Sequence, residues 1–252
     1  MKRTLTVLSI AVLGTLWAGS SFAYQTFLGQ DANGTSNVIL TATPNSLAAQ
    51  EAFYGLRTPQ VEDFEGQAVG AGTRTLAFGS GNTAVNATLS GINGAVQSVS
   101  TPTDGRYSVP GGNRFWAATA SSGGDTFSIR FDAKVEAFGF FGIDIGDFQG
   151  SLSMELLDAD DNMVGNGFRV NTLASGQDGS VLYFGIRAQS ESEWFRGIRF
   201  RPTNTTTEID LFAFDSFTVI GAPRPLSQIP EPGTLALIGL ALLAGSLSRR
   251  RS

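Results

Sequence analysis

The feature that most constrains the fold of this chain is an alternation of apolar and polar residues with a period of two. Phe127, Ile129 and Phe131, for example, alternate with Ser128 and Arg130. Successive side chains of a strand point to opposite faces, so each such run predicts a half-buried strand. Some ten to twelve strand candidates, among them 37–43, 127–131 and 135–145, are separated by Gly, Asn, Asp or Pro clusters. This spacing predicts an all-β fold, a two-sheet jelly-roll β-sandwich, with one body helix over 46–54 capped by Asn45 or Ser46.

The composition removes most familiar catalytic chemistry. The chain contains no His and no Cys among its 252 residues. Ser-His-Asp and Cys-His nucleophilic sites, disulfides and the usual zinc, haem and iron-sulfur sites are therefore excluded. What remains is carboxylate chemistry, oxygen-ligated Ca²⁺ or Mg²⁺, or no chemistry at all.

The N-terminal end has the pattern of a signal peptide. Lys2 and Arg3 form a basic start, 5–18 is apolar, and Ser21 and Ala23 are small residues suited to signal peptidase. We therefore expect residues 1–23 to form a signal helix that is removed before Tyr24. The alternative is a retained membrane anchor, although the apolar run is short for a span of about 20 residues.

The C-terminal end combines a Pro-Glu-Pro triplet, a short apolar stretch and a terminal arginine cluster. In order, these are Pro230, Glu231 and Pro232, then 234–247, then Arg249, Arg250 and Arg251. As a helix, the apolar stretch would rise about 21 Å, which is short for a hydrocarbon core of about 30 Å. The arginines favour a cytoplasmic end by the positive-inside rule.

This arrangement over residues 230–252 closely resembles the PEP-CTERM sorting signal of Gram-negative bacteria. The resemblance implies a short transmembrane helix at 234–247 that holds the exported precursor transiently in the inner membrane. It also implies cleavage by an exosortase near the Pro-Glu-Pro, release to the cell surface or extracellular space, and a link to exopolysaccharide. The alternative is an ordinary tail anchor that is never cut.

Between these ends we expect one β-sandwich body over 24–221 and a Pro-rich spacer over 222–229. From Tyr24 to Ile229 the chain carries 12 basic and 21 acidic residues, a net charge of −9. Nucleic-acid binding needs an extended basic surface, and the densest cluster here is Arg196, Arg199 and Arg201. Nucleic acid is therefore not an expected partner.

A structural calcium site is the first candidate in the body. The body resembles jelly-roll carbohydrate-binding modules and galactose-binding-like domains, in which acidic residues of the first and last strands help to hold Ca²⁺. The resemblance makes Glu65 and Asp215 ligand candidates and Asp63 a weaker one. The alternative is that Glu65 and Asp215 are exposed strand residues or a hydrogen-bonded core pair.

The acidic run 158–162 is a different motif. It lacks the Gly and Glu of an EF-hand loop and predicts a hairpin turn.

The second candidate is a carbohydrate site. Sugar rings stack on exposed aromatic faces, which makes Trp116 and Trp194 candidate platforms, and Asp144 and Asp147 could accept hydrogen bonds from sugar hydroxyls. Each of these residues could instead belong to the core or to a closing turn.

Taken together, these features favour an exported, non-enzymatic surface or matrix protein that binds carbohydrate. Two alternatives stay open: a purely structural matrix protein, and a glycoside hydrolase with two carboxylates across a cleft.

Overall fold

The computed structural model describes residues 24–221 apart from short gaps. The gaps are 56, 82–83, 92, 100–101, 103, 110, 122–125, 147–149, 173–177 and 205–208. The predicted signal helix, Pro-rich spacer, sorting residues and C-terminal transmembrane helix lie outside the described residues. Within the described part, no helix combines the length and apolarity needed to cross a membrane.

Thirteen strands, one α-helix and a 3₁₀ turn at Glu191–Glu193 make up the described body. Their bounds are β1 (Tyr24–Asp31), α1 (Pro44–Tyr54), β2 (Gln60–Glu62), β3 (Gly70–Ala71), β4 (Arg74–Phe78), β5 (Val85–Gly91), β6 (Ala95–Ser98), β7 (Arg114–Ala120), β8 (Phe127–Ile143), β9 (Gly150–Leu157), β10 (Phe168–Val170), β11 (Val181–Ala188), β12 (Phe195–Asn204) and β13 (Asp210–Gly221).

The strands form two antiparallel layers that share the long strand β8. Its first part pairs with β12 and β5, which gives sheet I the order β10-β9-β12-β8-β5-β4. Its second part pairs with β11 and β13, which gives sheet II the order β1-β11-β8-β13-β7-β6-β3, with β2 also beside β13. The all-β, two-sheet jelly-roll sandwich is therefore confirmed, although the predicted strands on either side of residue 132 are one continuous strand.

A phenylalanine-rich core fills the space between the two sheets. The rings of Phe127 and Phe200 stack at 4.3 Å in sheet I, and Phe214 of sheet II meets Phe127 edge to face at 5.0 Å. All three side chains are buried. The alternating apolar residues from which the strands were predicted supply the sheet I side of this core, because they share one face of each strand.

A second apolar layer covers the outer face of sheet II. Phe53 of α1 is fully buried there, 5.5 Å from the ring of Phe27 and 5.8 Å from that of Tyr183. A Cβ atom at Gly185 would come within 2.5 Å of the Phe53 ring, so the glycine makes room for it. This second layer, which also includes the segment around Tyr107, explains why sheet II is apolar on both faces.

The helix start differs from the predicted one. The helix begins at Pro44, and neither Asn45 nor Ser46 precedes it as a cap. The Asp31 carboxylate at the end of β1 instead accepts hydrogen bonds from the main-chain N–H of Asn45 at 3.0 Å and of Ser46 at 2.8 Å. A residue distant in sequence thus satisfies donors that helix ends leave open, and local sequence could not reveal it.

The outer face of sheet I, by contrast, carries no covering layer among the described residues. Its outward positions are mostly Ser, Thr, Asn, Arg and acidic side chains, and these side chains are partly or fully exposed. We call this surface the bare face. Its residues are the polar members of the alternating pattern in the sequence.

The first and last described residues lie at one end of sheet II. Tyr24 pairs with Ala188, and Gly221 pairs with Val135. Because β11 and β8 pair at Arg187 with Ala137, these positions share one end of the sheet. We call this end the terminal pole.

Candidate functional site

An open groove that contains Trp194 lies at the terminal pole. Its volume is about 460 Å³. Its lining residues are Gln25, Arg57, Glu136, Arg187, Ala188, Gln189, Ser190, Glu191 and Trp194. We call it the Trp194 groove.

A short turn positions the tryptophan. The 3₁₀ turn Glu191–Glu193 is closed by the Glu193 carboxylate, which accepts hydrogen bonds from the main-chain N–H of Gln189 at 2.6 Å and of Ser190 at 3.1 Å. The Tyr24 hydroxyl donates to the Glu193 carbonyl at 2.7 Å and so ties the turn to β1. Trp194 follows directly and is half-buried, which leaves part of the indole accessible.

A linked set of charges forms another part of the groove. The Glu136 carboxylate is 2.8 Å from Arg187 Nε and 3.6 Å from Arg57 Nη1. Glu136 is buried, whereas both arginines are partly exposed. One carboxylate therefore holds two guanidinium groups whose remaining N–H donors can face a ligand.

The groove residues come from three strands, from the segment after α1 and from the segment between β11 and β12. Gln25 of β1 lies opposite Arg187 of β11, while Glu136 belongs to β8 and Arg57 follows α1. Of the lining residues, only Trp194 was a candidate from the sequence. The others carried no local signal, because strand pairing between distant segments brings them together.

The structure corrects the interpretation of Trp116. Its side chain is fully buried in the core between the sheets, 6.3 Å from the ring of Phe127. A Cβ atom at Gly94 would lie 2.0 Å from the indole, so the ring fills the space over that glycine. A ring buried in this way has no face for a sugar.

The two predicted aspartates have different outcomes. Asp144 is only 2% exposed, and its Oδ1 accepts a hydrogen bond from the Gly179 N–H at 2.7 Å. Burial raises the pKa of this carboxyl to about 7, and the neighbouring charges of Asp210, Asp178 and Asp104 act in the same direction. Asp144 therefore belongs to the interior and not to a sugar-binding surface. Asp147 lies outside the described residues.

The calcium candidates are occupied by main-chain donors. Glu65 Oε1 accepts hydrogen bonds from the N–H groups of Asn113 at 2.5 Å and Arg114 at 2.8 Å. Asp215 is 1% exposed and accepts from the N–H of Val109 at 2.8 Å. Burial raises the pKa of Asp215 to about 7, and the charge of nearby Glu65 adds to the effect.

These contacts do not match a calcium cage. Ca²⁺ takes six to eight oxygen ligands, and a cation would compete with the N–H donors that Glu65 and Asp215 already bind. The third candidate, Asp63, is exposed and accepts the main-chain N–H of Glu65 at 3.1 Å. In the described part of the chain, no three acidic side chains are grouped so that they could share an ion. The main-chain hydrogen bonds to Glu65 and Asp215 favour a structural role for both carboxylates, and calcium stays a prediction.

The acidic run at 158–162 forms the predicted hairpin turn. Asp158 Oδ1 accepts hydrogen bonds from the N–H groups of Asp160 at 2.8 Å and Asn162 at 2.9 Å. Leu157 and Met163 bridge the two sides of the turn. The carboxylate thus stabilises the turn itself.

Comparison with known protein families identifies the end of the chain. Residues 228–252 match the PEP-CTERM protein-sorting motif. The chain carries a PEP-CTERM sorting motif. The matched region contains Pro230, Glu231, Pro232 and the arginine cluster, as the sequence resemblance predicted. No curated protein sequence matches the chain significantly.

Solved structures resemble the body only distantly. The K2 adhesin domain of Lys-gingipain has 12% identity and a TM-score of 0.42 over 66% of this chain and 99% of its own. A family 11 carbohydrate-binding module from Clostridium thermocellum has 12% identity and a TM-score of 0.35, over 65% and 96%. The carbohydrate-binding module TmCBM61 has 15% identity and a TM-score of 0.35, over 54% and 88%. We take nothing about ligands from similarities this low.

Proposed function

We propose that this chain is an exported, exosortase-sorted protein whose β-sandwich binds carbohydrate through the Trp194 groove. The precursor is held in the inner membrane by its C-terminal segment and reaches the cell surface or extracellular space after cleavage. The support for sorting is the PEP-CTERM motif at 228–252. The support for binding is a partly exposed tryptophan in a polar groove.

The groove offers the two interactions that a neutral sugar needs. The apolar face of a sugar ring packs on an aromatic side chain, and Trp194 is the only aromatic residue that lines this groove among the described residues. Sugar hydroxyls then pair with amide and guanidinium groups, which Gln25, Gln189 and Arg187 supply. The groove is open, so we expect weak binding of an extended chain.

We propose that the protein does not catalyse turnover. A glycosidase needs one carboxylic acid and one carboxylate that are both free to react. In the groove, the Glu136 carboxylate is held by ion pairs with Arg57 and Arg187, so it is not free to approach a glycosidic bond. The alternatives remain a structural matrix protein without a ligand and a hydrolase.

The test uses mature protein purified from a host that contains an exosortase. Its intact mass reports whether residues 1–23 and the C-terminal segment have been removed, and a tail retained on released protein would contradict the sorting proposal. A glycan array of neutral oligosaccharides then reports binding, and a reducing-sugar assay on the same glycans reports turnover.

Trp194 variants connect binding to the groove. We expect Trp194→Ala to weaken binding about tenfold, because a stacked ring contributes on the order of 1 kcal/mol or more. Trp194→Phe should retain part of the affinity. Met163→Ala is the control, since it shortens an exposed apolar side chain in the β9–β10 hairpin. No bound glycan, or equal binding by Trp194→Ala, would contradict the proposal.

Repeating the array with calcium and with a chelator tests whether calcium affects glycan binding.

A further inference from the structure

The bare face of sheet I carries a patterned set of arginine and serine side chains. Arg201 of β12 and Arg169 of β10 lie on either side of Ser153 in neighbouring strands. One row further along, Arg199 lies between Glu155 of β9 and Ser128 of β8. These residues are partly or fully exposed. The antiparallel register thus gathers three guanidinium groups on one surface patch.

The positive charge in this patch exceeds the negative charge. Glu155 binds Arg199 Nη1 at 2.9 Å and Arg201 Nε at 2.8 Å, so one carboxylate serves two guanidinium groups. Hydrogen bonds from Arg201, which has the larger effect, and from Arg199 lower the pKa of Glu155. Its carboxylate therefore stays ionised. With Arg169 included, the patch has three positive charges against one negative charge. This local excess contrasts with the net charge of −9 of the chain from Tyr24 to Ile229.

A second groove runs from Arg199 across the face. It has a volume of about 290 Å³ and is lined by Ser90, Gly91, Thr126, Phe127, Ser128 and Arg199. Ser90 and Ser128 lie opposite each other in β5 and β8, with their hydroxyls 3.4 Å apart. The groove therefore has a guanidinium group at one side and three hydroxyl groups along its length. Phe127 itself is buried, so its ring is not offered for stacking.

We propose that this groove, the Arg199 groove, binds a carboxylate-bearing saccharide such as a uronic acid residue of an acidic polysaccharide. The sugar carboxylate pairs with Arg199, because guanidinium and carboxylate groups form directional, charge-assisted hydrogen bonds. The hydroxyls of Ser128, Ser90 and Thr126 bind the ring hydroxyls of the same or the next sugar. Arg201 and Arg169 extend the positive surface along the polymer.

The surface chemistry favours an acidic glycan over other ligands. The outward residues of sheet I include no aromatic side chain in the described part, so stacking of neutral sugars or nucleobases has no platform there. Double-stranded DNA carries one phosphate charge per about 1.7 Å of its axis, and the net charge of −9 from Tyr24 to Ile229 repels such a dense polyanion. An acidic glycan carries at most one carboxylate per sugar ring, which a small arginine patch can neutralise.

The Arg199 groove is independent of the Trp194 groove. The first lies on the outer face of sheet I and the second lies at the terminal pole of sheet II. The inference therefore goes beyond the proposed function, and each site can fail without the other. Trp194→Ala should leave binding at the Arg199 groove unchanged.

The experiment measures binding of oligogalacturonate to mature protein by calorimetry at low and high salt. The matched ligand is the methyl-esterified oligomer, which has the same sugar rings without the charge. We expect the acid form to bind and the ester to bind at least about tenfold more weakly, with affinity falling as salt rises. Equal binding of acid and ester would overturn the proposal.

Arg199→Gln removes the central guanidinium and should reduce affinity for the acid about tenfold. Lys134→Gln is the control, because it removes one exposed positive charge outside the groove. Arg199→Lys keeps the charge but loses the paired donors, so its affinity should be intermediate. Arg169→Gln, at an exposed position, provides a second variant if Arg199→Gln folds poorly. An equal loss of affinity in Lys134→Gln would mean that binding depends only on the overall charge, and it would contradict a specific site at Arg199. No binding of oligogalacturonate to the wild type would also contradict it.

Discussion

The outer faces of the two sheets are built in opposite ways. Sheet II is covered by α1 and the Tyr107 segment, which add a second apolar cluster to the main core. Sheet I meets solvent with Ser, Thr and Arg side chains. The burial patterns of the strands differ in the same way: the sheet I strands mostly alternate between buried and exposed residues, whereas 137–143 and 181–186 of sheet II are buried without interruption. A strand that is apolar on both faces indicates a cover, and an alternating strand indicates a surface that is free to meet a ligand.

The carboxylates on the two faces differ as well. Asp144 and Asp215 lie beneath the cover of sheet II, and burial raises the pKa of each to about 7. Glu155 on the bare face lies between two arginines, and the pKa of its carboxyl is lowered. The carboxyls of Asp144 and Asp215 therefore titrate near neutral pH, and the carboxyl of Glu155 titrates only in acid.

Removing the main contact of the helical cover should have the largest effect. Phe53→Ala deletes a fully buried ring that packs against Phe27 and Tyr183. We expect a loss of about 3–5 kcal/mol in the free energy of unfolding, because a large cavity would remain above Gly185. Urea denaturation measures it. The control is Leu47→Ala on the exposed side of α1, and equal losses in the two variants would contradict the idea that Phe53 anchors the cover.

The buried carboxyl of Asp144 should give the next largest effect, as a pH dependence. A folded-state pKa raised from 3.8 to about 7 means that the folded protein binds more protons than the unfolded chain in that range. Asp144 therefore contributes most to stability in acid, and this contribution is lost as the pH rises through about 7.

Between pH 5 and 8, we expect the free energy of unfolding to fall less in Asp144→Asn than in the wild type, by on the order of 2 kcal/mol. Asparagine tolerates the positive φ of 63° at this position and can still accept the Gly179 N–H. Denaturation midpoints of both proteins across this range provide the measurement, with Glu155→Gln as the control on the bare face. Parallel pH profiles of wild type and Asp144→Asn would show that Asp144 does not titrate there.

A truncation on the bare face should have the smallest effect. Thr88→Ala removes an exposed side chain that lies opposite Arg130 in β8 and Thr75 in β4. We expect a change below about 0.5 kcal/mol, since surface substitutions away from special features rarely exceed it. A loss above 1 kcal/mol in urea denaturation would mean that an unrecognised layer covers this face.

Sequence alone predicted the sheet I strands well, because alternation is a local signal. It missed that 24–31 is a strand paired with β11, and it predicted a strand at 37–43 where the structure has none. The first depends on a partner strand at least 150 residues away. The second is apolar at Ile39 and Leu40 because these side chains pack on the second cluster, and not because they belong to a sheet.

The prediction of functional sites from the sequence has the same limit, because only contiguous motifs give a local signal. The sorting motif is contiguous, so it could be identified from the sequence. Aromatic and acidic residues in the body could not be sorted into core and surface, and Trp116 and Asp144 proved to be buried while Trp194 did not. The Arg199 groove was visible only as a basic run at 196–201, because its serines come from β5 and β8 and meet Arg199 through the register.

The terminal pole has a consequence for the proposed membrane-held precursor. The first and last described residues lie at this end of sheet II, so a precursor held by its C-terminal segment would be attached there and would have the Trp194 groove on the side of the lipid. The eight residues 222–229 reach at most about 28 Å when fully extended. Ser128 lies seven residues along β8 from Val135, which is roughly 23 Å farther along that strand. We therefore expect bulky polymers outside the cell to meet the Arg199 groove first, and we expect cleavage of the tail to remove the steric restriction on the Trp194 groove.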